Sequence, residues 1–589
     1  MLWHIGNTTV RTPYRLKEAL LALKNSSFHG NLVGKEAEEG FARLLNEKEI
    51  VSSERLRRET PTDTSDLGRK WRSAIAQLGF VVQHFNQGQK MMFKMLSLNV
   101  PGYPQLTGRP YEITPNGWRL MAAESVGQMQ ETFLRSLLAY RIPSVIETDY
   151  KCQPFSPLRL VIELLLELEK NGAEPYLKFE EMALIVQQRN RDNGIGPISA
   201  EILCYRKERE QAAFKKVFDQ ERFMAAAGEN QKSIQTWRDY ADLNFRYLKA
   251  TGIFQSRGRA ITLVPEKHTL AELIVVEGDG HYDNFSYVEN LWKGAKLPTD
   301  DKIKAVEIVK SLYQQLLARE EDVTLPDIVS MTLDELTRFR LAWEERLLQI
   351  KELNYAVSQY QNWPDIVLLM KAFLTPKPRR PIVLSNGEEF IIPSAEAPAY
   401  FEWIIWRAFL AINSLTCPPW EARNFKIDQD FLPLSHAPSR MPDMKFVFEE
   451  YHLVVEVTLT GSSRQEAAEG EPVRRHVAVI AQQLEASDKR VYCLFIAPSI
   501  DSNTAETFKI GNWYKADDSK LPLQIVPIPL RDFIRLFEAG FQSSIGRLDA
   551  EELMKLLVYC RSVSNTDAPE WKKMIEKEIE KTILRFQNK

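Results

Sequence analysis

Two stretches in the first half of the chain share one pattern of apolar and polar positions. In each, a helix of amphipathic spacing stops at a glycine, and an apolar pair and strand-like residues follow. The first runs from Trp71-Arg72-Ser73-Ala74-Ile75-Ala76-Gln77-Leu78-Gly79-Phe80 to Tyr111-Glu112-Ile113-Thr114-Pro115-Asn116-Gly117-Trp118. The second runs from Trp237 through Thr251-Gly252-Ile253-Phe254 to Arg257-Gly258-Arg259-Ala260-Ile261-Thr262-Leu263. Here Ser256-Arg257-Gly258-Arg259 can close a hairpin, because glycine accepts positive φ. Helix, glycine stop and short β-ribbon are the outline of a winged helix. Between the two stretches, Ser156-Pro157 opens an apolar helix, and Lys178 to Val186 reads as a further short one.

Residues from about 285 to 372 are mostly helical in period, with one apolar stripe through Val306-Glu307-Ile308-Val309 and an N-cap at Thr332. Three prolines in Pro376-Lys377-Pro378-Arg379-Arg380-Pro381 cannot continue a helix and predict a boundary. From about residue 395 the pattern alternates between helix and strand. Ala399 to Leu410 is an apolar helix, while Met444 to Phe448, Leu453 to Leu459, Val491 to Ala497 and Leu523 to Pro529 read as strands. Pro472 is expected at the first turn of a helix capped by Glu471. The expected organisation is a multidomain α+β chain. Winged-helix-like DNA-recognition subdomains span 1–150 and 151–280, a helical linker 281–375, and an α/β domain 376–589.

With 44% apolar and 26% charged residues over 589 positions, the chain can bury several cores, which excludes disorder as its main state. It contains no apolar run of about 18 residues and no visible signal peptide, so a cytoplasmic protein without a membrane partner is expected. Five scattered cysteines, none in a CxxC, argue against a disulfide framework or structural zinc, and Cys493 reads as a buried strand residue. The 76 Lys and Arg against 79 Asp and Glu exclude a uniformly basic coat but leave room for local basic faces. Candidate DNA contacts are Arg57 and Arg58; Arg69, Lys70 and Arg72; Arg189 and Arg191; and the wing-tip pair Arg257 and Arg259. Arg55, Arg206, Lys207 and Arg209 extend these clusters. A solvated face is the competing reading of each, and it weighs least on the wing-tip pair.

Two features of the last third carry chemistry. Glu402 shares a helix face with Ile405, Trp406 and Phe409, where a carboxylate must be paired, protonated or held by a cation. Asp443 precedes one strand and Glu456 interrupts the next, so a hairpin brings both carboxylates to one sheet end, a donor set that suits Mg²⁺. Pro442-Asp443 followed by Glu456-Val457-Thr458 is similar to the PD-(D/E)xK nuclease motif, with threonine at the lysine position. With Phe401-Glu402-Trp403, Glu471-Pro472-Val473-Arg474-Arg475-His476 and Tyr492-Cys493-Leu494-Phe495-Ile496-Ala497-Pro498, the chain resembles the AlwI family of type IIS restriction endonucleases, which includes strand-specific nicking relatives. The resemblance reaches forward through Thr251-Gly252-Ile253-Phe254 to Gly34-Lys35-Glu36-Ala37.

That resemblance makes 376–589 an α/β PD-(D/E)xK-like nuclease domain and places the active site on Glu402, Asp443, Glu456, Glu469 and His476. It implies that Asp443 and Glu456 hold Mg²⁺, that Glu402 completes the shell, and that Glu469 and His476 stand in for the lysine in placing or deprotonating water. Glu471, two positions on, is the alternative to Glu469, and His476 beside Arg474 and Arg475 can instead grip phosphate. The implied substrate is double-stranded DNA with a short asymmetric site of the GGATC or GAGTC kind, and double-strand cleavage calls for a transient homodimer or a second subunit. Two other readings fit parts of the pattern: a non-catalytic winged-helix regulator and a structure-specific repair nuclease.

Overall fold

Ser156 opens the long apolar helix Pro157–Lys170 as its sequence dictates: its side chain accepts from the Arg159 N–H and Pro157 occupies the first turn. In the computed structural model, which describes residues 1–51, 64–85, 100–228, 230–278, 280, 282–375, 381–394, 396–412, 414–438, 440–461, 463–485 and 489–587, this helix belongs to the first of two units, Met1–Leu347 and Leu348–Lys589. The boundary falls within the helix Leu333–Gln359, so residues 281–375 are divided between the units. Ion pairs join 281–347 to the rest of the first unit: Arg340 donates to Glu131 at 2.6 Å, and Lys267 pairs with Glu344 at 2.6 Å. In the second unit Arg423 grips Glu352 through two bonds of 2.8 and 2.9 Å, and Tyr355 stacks on Phe431 at 4.5 Å.

The first unit is mainly helical. The helix Gln231–Ala250 stops before Gly252, at φ 70°, and a ribbon of Phe254–Arg257 and Ala260–Leu263 follows, turning at Gly258 with φ 59°. A third strand, Tyr176–Lys178, pairs antiparallel with Ala260–Leu263 and continues into the short helix Phe179–Leu184. The earlier stretch differs. After the helix Ser65–Gln77 and Gly79, the described residues contain only an isolated bridge, Val81 to Ile113, rather than a ribbon. Tyr111 at φ 62° interrupts the extended backbone there.

The second unit centres on a four-stranded mixed sheet. Ile525–Pro529, Arg490–Ala497 and Tyr451–Val457 run parallel in that order, and Met444–Val447 pairs antiparallel at the edge beside Tyr451–Val457. Every residue of the helix Ala397–Ile412 except Pro398 is buried. Phe409 on it stacks on Phe446 of the sheet at 4.5 Å and on Phe533 of the helix Leu530–Gln542 at 5.8 Å. Cys493 is buried in its strand and free. One helix corrects its sequence reading: Pro472 is not at a first turn but inside Gln465–Gln483, and Glu471 does not cap it. Buried Val473, His476 and Val477 hold this helix together across the missing Pro472 N–H. Of the proline-rich break, 376–380 lie outside the described residues.

Candidate active site

Glu456 ends an otherwise apolar strand, and its side chain is only 5% exposed. The antiparallel register, Met444 opposite Val455, sets Asp443 beside it. Each carboxylate accepts from the other strand's backbone: the Val457 N–H donates to Asp443 Oδ2 at 2.7 Å, and the Asp443 N–H to Glu456 Oε2 at 3.4 Å. The Asn424 side chain donates to the Pro442 carbonyl at 2.7 Å and its N–H to the Asp443 carbonyl at 3.2 Å, which fixes the approach to the strand.

Glu402 arrives from the buried helix and accepts the Ala437 N–H at 2.8 Å. Glu469 and His476 lie seven residues apart on the helix Gln465–Gln483, two turns along one face. His476 Nδ1 is 2.8 Å from Glu456 Oε1. Thr458, at the lysine position, hydrogen-bonds Glu469 through its side chain. All five residues line one cavity of about 660 Å³, together with Thr458, Thr460, His436, Arg440 and Arg475. Glu471 is exposed and paired with Arg475 at 3.1 Å, outside that lining.

The carboxyl groups disturb one another. Burial first, then repulsion by Asp443 and Glu456, holds Glu402 well above the usual carboxylate range, against the opposing Ala437 N–H. Asp443 is raised well above its ordinary value by burial and then by Glu456 and Glu469, with the Val457 N–H opposing. Glu456 is raised by burial and by Glu469, opposed by the Asp443 N–H and Arg475. Glu469 is raised by burial, while Thr458 and His476 pull it down. Such a cluster holds protons or meets a cation. Its oxygen donors suit a hard divalent ion bound through one or two carboxylates plus water. Among the described residues, no three His, Cys, Asp or Glu side chains are placed as a metal-ligand group, so any ion held here would depend on solvent or substrate oxygens as well.

A scan against protein families matches residues 76–536, most of the chain, to the AlwI restriction endonuclease family. The chain belongs to the AlwI restriction endonuclease family. Membership makes it a restriction nuclease, a hydrolase that binds DNA. Among solved structures, the small subunit of the heterodimeric restriction endonuclease R.BspD6I matches this AlwI-family chain at 22% identity and a TM-score of 0.27, over 36% of this chain and 98% of the other. No curated protein matches. No helix among the described residues is long and apolar enough to cross a membrane.

The basic residues singled out as DNA contacts of this AlwI-family chain are mostly engaged within the fold. Arg72 pairs with Glu38 at 2.6 Å and lies over the Tyr111 ring. Arg69 and Lys70 both pair with Asp66. Arg189 grips Glu201 at 2.7 and 3.0 Å, and Arg191 meets Glu163 at 2.8 Å. Arg206 and Arg209 are likewise committed, to Glu181 and Asp219. At the ribbon turn Arg257 pairs with Glu174 and Arg259 with Glu180 at 3.6 Å, but both stay more than half exposed. Arg55, Arg57 and Arg58 lie outside the described residues. Missed in the sequence were Arg440 and His436 of the cavity. They sit in an irregular segment with no periodic signal, and only Arg440's place three residues before Asp443 hinted at a role.

Proposed function

We propose that this chain is a Mg²⁺-dependent type IIS deoxyribonuclease that recognises a short asymmetric duplex site through its first unit and hydrolyses phosphodiester bonds a fixed distance away with its second. The observation that carries the reading is the crossed pair of backbone bonds that holds Asp443 and Glu456 together in one cavity with Glu402, Glu469 and His476. Asp443 and Glu456 would hold the ion, with Glu402 completing or orienting the set. When bound, Mg²⁺ supplies a Lewis acid that offsets charge on the phosphoryl oxygens and acidifies water. Glu469 or His476 takes the proton of the attacking water. The water oxygen joins phosphorus in line with the leaving 3′ oxygen, the P–O3′ bond breaks, the 3′ oxygen takes a proton from solvent, and 3′-hydroxyl and 5′-phosphate ends remain.

The three-stranded ribbon behind the helix Gln231–Ala250 supports a winged-helix reader, with Arg257 and Arg259 exposed at its turn. A single reading head matches an asymmetric site, since no two-fold repeat is imposed on the DNA. One carboxylate constellation among the described residues favours one strand cut per encounter, which leaves strand-specific nicking as the second reading. Double-strand cleavage would then need a second copy or a partner subunit.

Incubation with plasmid and Mg²⁺, followed by run-off sequencing of the ends, tests the proposal. Ends at one offset from one short sequence are expected. Ends without a common sequence would mean a structure-specific nuclease, and DNA retention without cleavage would mean a regulator.

A further inference from the structure

The cavity holds four carboxyl groups, yet its substrate on the proposed reading is a polyanion. Something fixed and positive must meet the strand at the mouth. Two arginines line the cavity. Arg475 is already paired with Glu471 at 3.1 Å. Arg440 is exposed, and among the described residues no carboxylate pairs with it. Its backbone is held nevertheless. The same segment gives the Ala437 N–H to Glu402 at 2.8 Å, and the Met441 N–H closes a turn onto the Pro438 carbonyl at 2.9 Å. Asp443 follows three residues later, anchored to the Val457 N–H. Arg440 is therefore an uncommitted guanidinium on a loop tied at both ends to the acidic cluster.

We propose that Arg440 binds a backbone phosphate of the strand being cut, at a linkage flanking the scissile one. Glu402 and Glu456 are withdrawn into the cavity, each at 5% exposure, and Asp443 and Glu469 are half-buried, whereas Arg440 is exposed to solvent, which suits it to the neighbouring phosphate rather than the reacting one. A planar fork of N–H donors fits two phosphate oxygens at once. The contact carries no sequence information; it sets the register of the strand over the site. This assignment rests on the nuclease reading above.

The test is a set of duplexes, each with one neutral methylphosphonate at a linkage near the cut, given to the full chain and to Arg440→Ala and Arg440→Lys. On native DNA, Arg440→Ala is expected to lower kcat/KM roughly 10- to 100-fold, as loss of a charged hydrogen bond does. Arg440→Lys should recover part of that loss, and both variants should melt with the parent because the side chain is exposed. One flanking methylphosphonate should cost the parent as much as the substitution does, and cost Arg440→Ala nothing further. If the parent cuts but Arg440→Ala matches it on native DNA, or the two losses multiply at every linkage, the assignment of Arg440 is wrong while the nuclease reading stands. A parent that cuts no DNA overturns both.

Discussion

At the scale of single residues, the site is a problem of charge. Burial first raises the proton affinity of both Asp443 and Glu456; the Glu456 charge then adds to the rise at Asp443, and Glu469 to that at Glu456. A carboxyl group whose folded-state pKa lies above its unfolded value stabilises the fold fully below the unfolded value, near pH 4. That contribution is lost as pH rises through the raised one. Metal-free protein should therefore carry a penalty at pH 8 that it lacks near pH 4. Asp443→Asn removes one charge and keeps an oxygen for the Val457 N–H. In chelator its Tm should exceed the parent's at pH 8, and the gap should close on acidification. Added Mg²⁺ should raise the parent's Tm and leave the variant's nearly unchanged. A gap independent of pH in thermal melts would contradict the assigned repulsion. His4 points the other way. Burial lowers it to about 4, so its contribution is complete above about pH 6.5 and is lost as pH falls towards 4. His476→Ala removes both a partner of Glu456 and a candidate base. Cleavage should fall roughly 100-fold or more, with DNA affinity in a gel shift unchanged.

At the scale of elements, the sheet end and two helices hold the site. The helix Ala397–Ile412 delivers Glu402 because the helix around it is buried, with Phe409 stacked between Phe446 and Phe533. Phe409→Ala would leave a cavity between that helix, the sheet and Leu530–Gln542, at a cost of about 3–5 kcal/mol. The expected outcome is a clear drop in the melting transition of the full chain. Cleavage at low temperature should fall less steeply, because no reacting group is touched. The strands that carry Asp443 and Glu456 were legible as apolar runs interrupted by a carboxylate. The start of Gln465–Gln483 was not. Local preference places proline at a helix start, but buried contacts on Val473 and Val477 outweigh the lost bond, so Glu469 and His476 share one continuous helix.

At the scale of the whole molecule, two units divide the chain, and one cavity in the second gathers the acidic groups. If one constellation cuts one strand, nicked circles should accumulate before linear plasmid. Linearisation by transient dimers should then rise more steeply than first order in protein concentration, as a time course at several concentrations on a gel would show. A first-order dependence would argue against dimers.

By itself the sequence singled out the four carboxylates and the histidine that line one cavity, and which segments become strands and buried helices. Periodicity, caps and motif spacing are local properties, and the match to a family over residues 76–536 rests on residue types in order. Only the tertiary structure decided what each charge faces. Arg72, Arg189 and Arg191 look alike in the chain as candidate phosphate contacts, but carboxylates distant in sequence claim each of them. Arg440 carries no periodic signal, yet among the described residues no carboxylate claims it, and it lines the cavity. A side chain's role depends on the field around it, and neighbours brought together across the chain set that field.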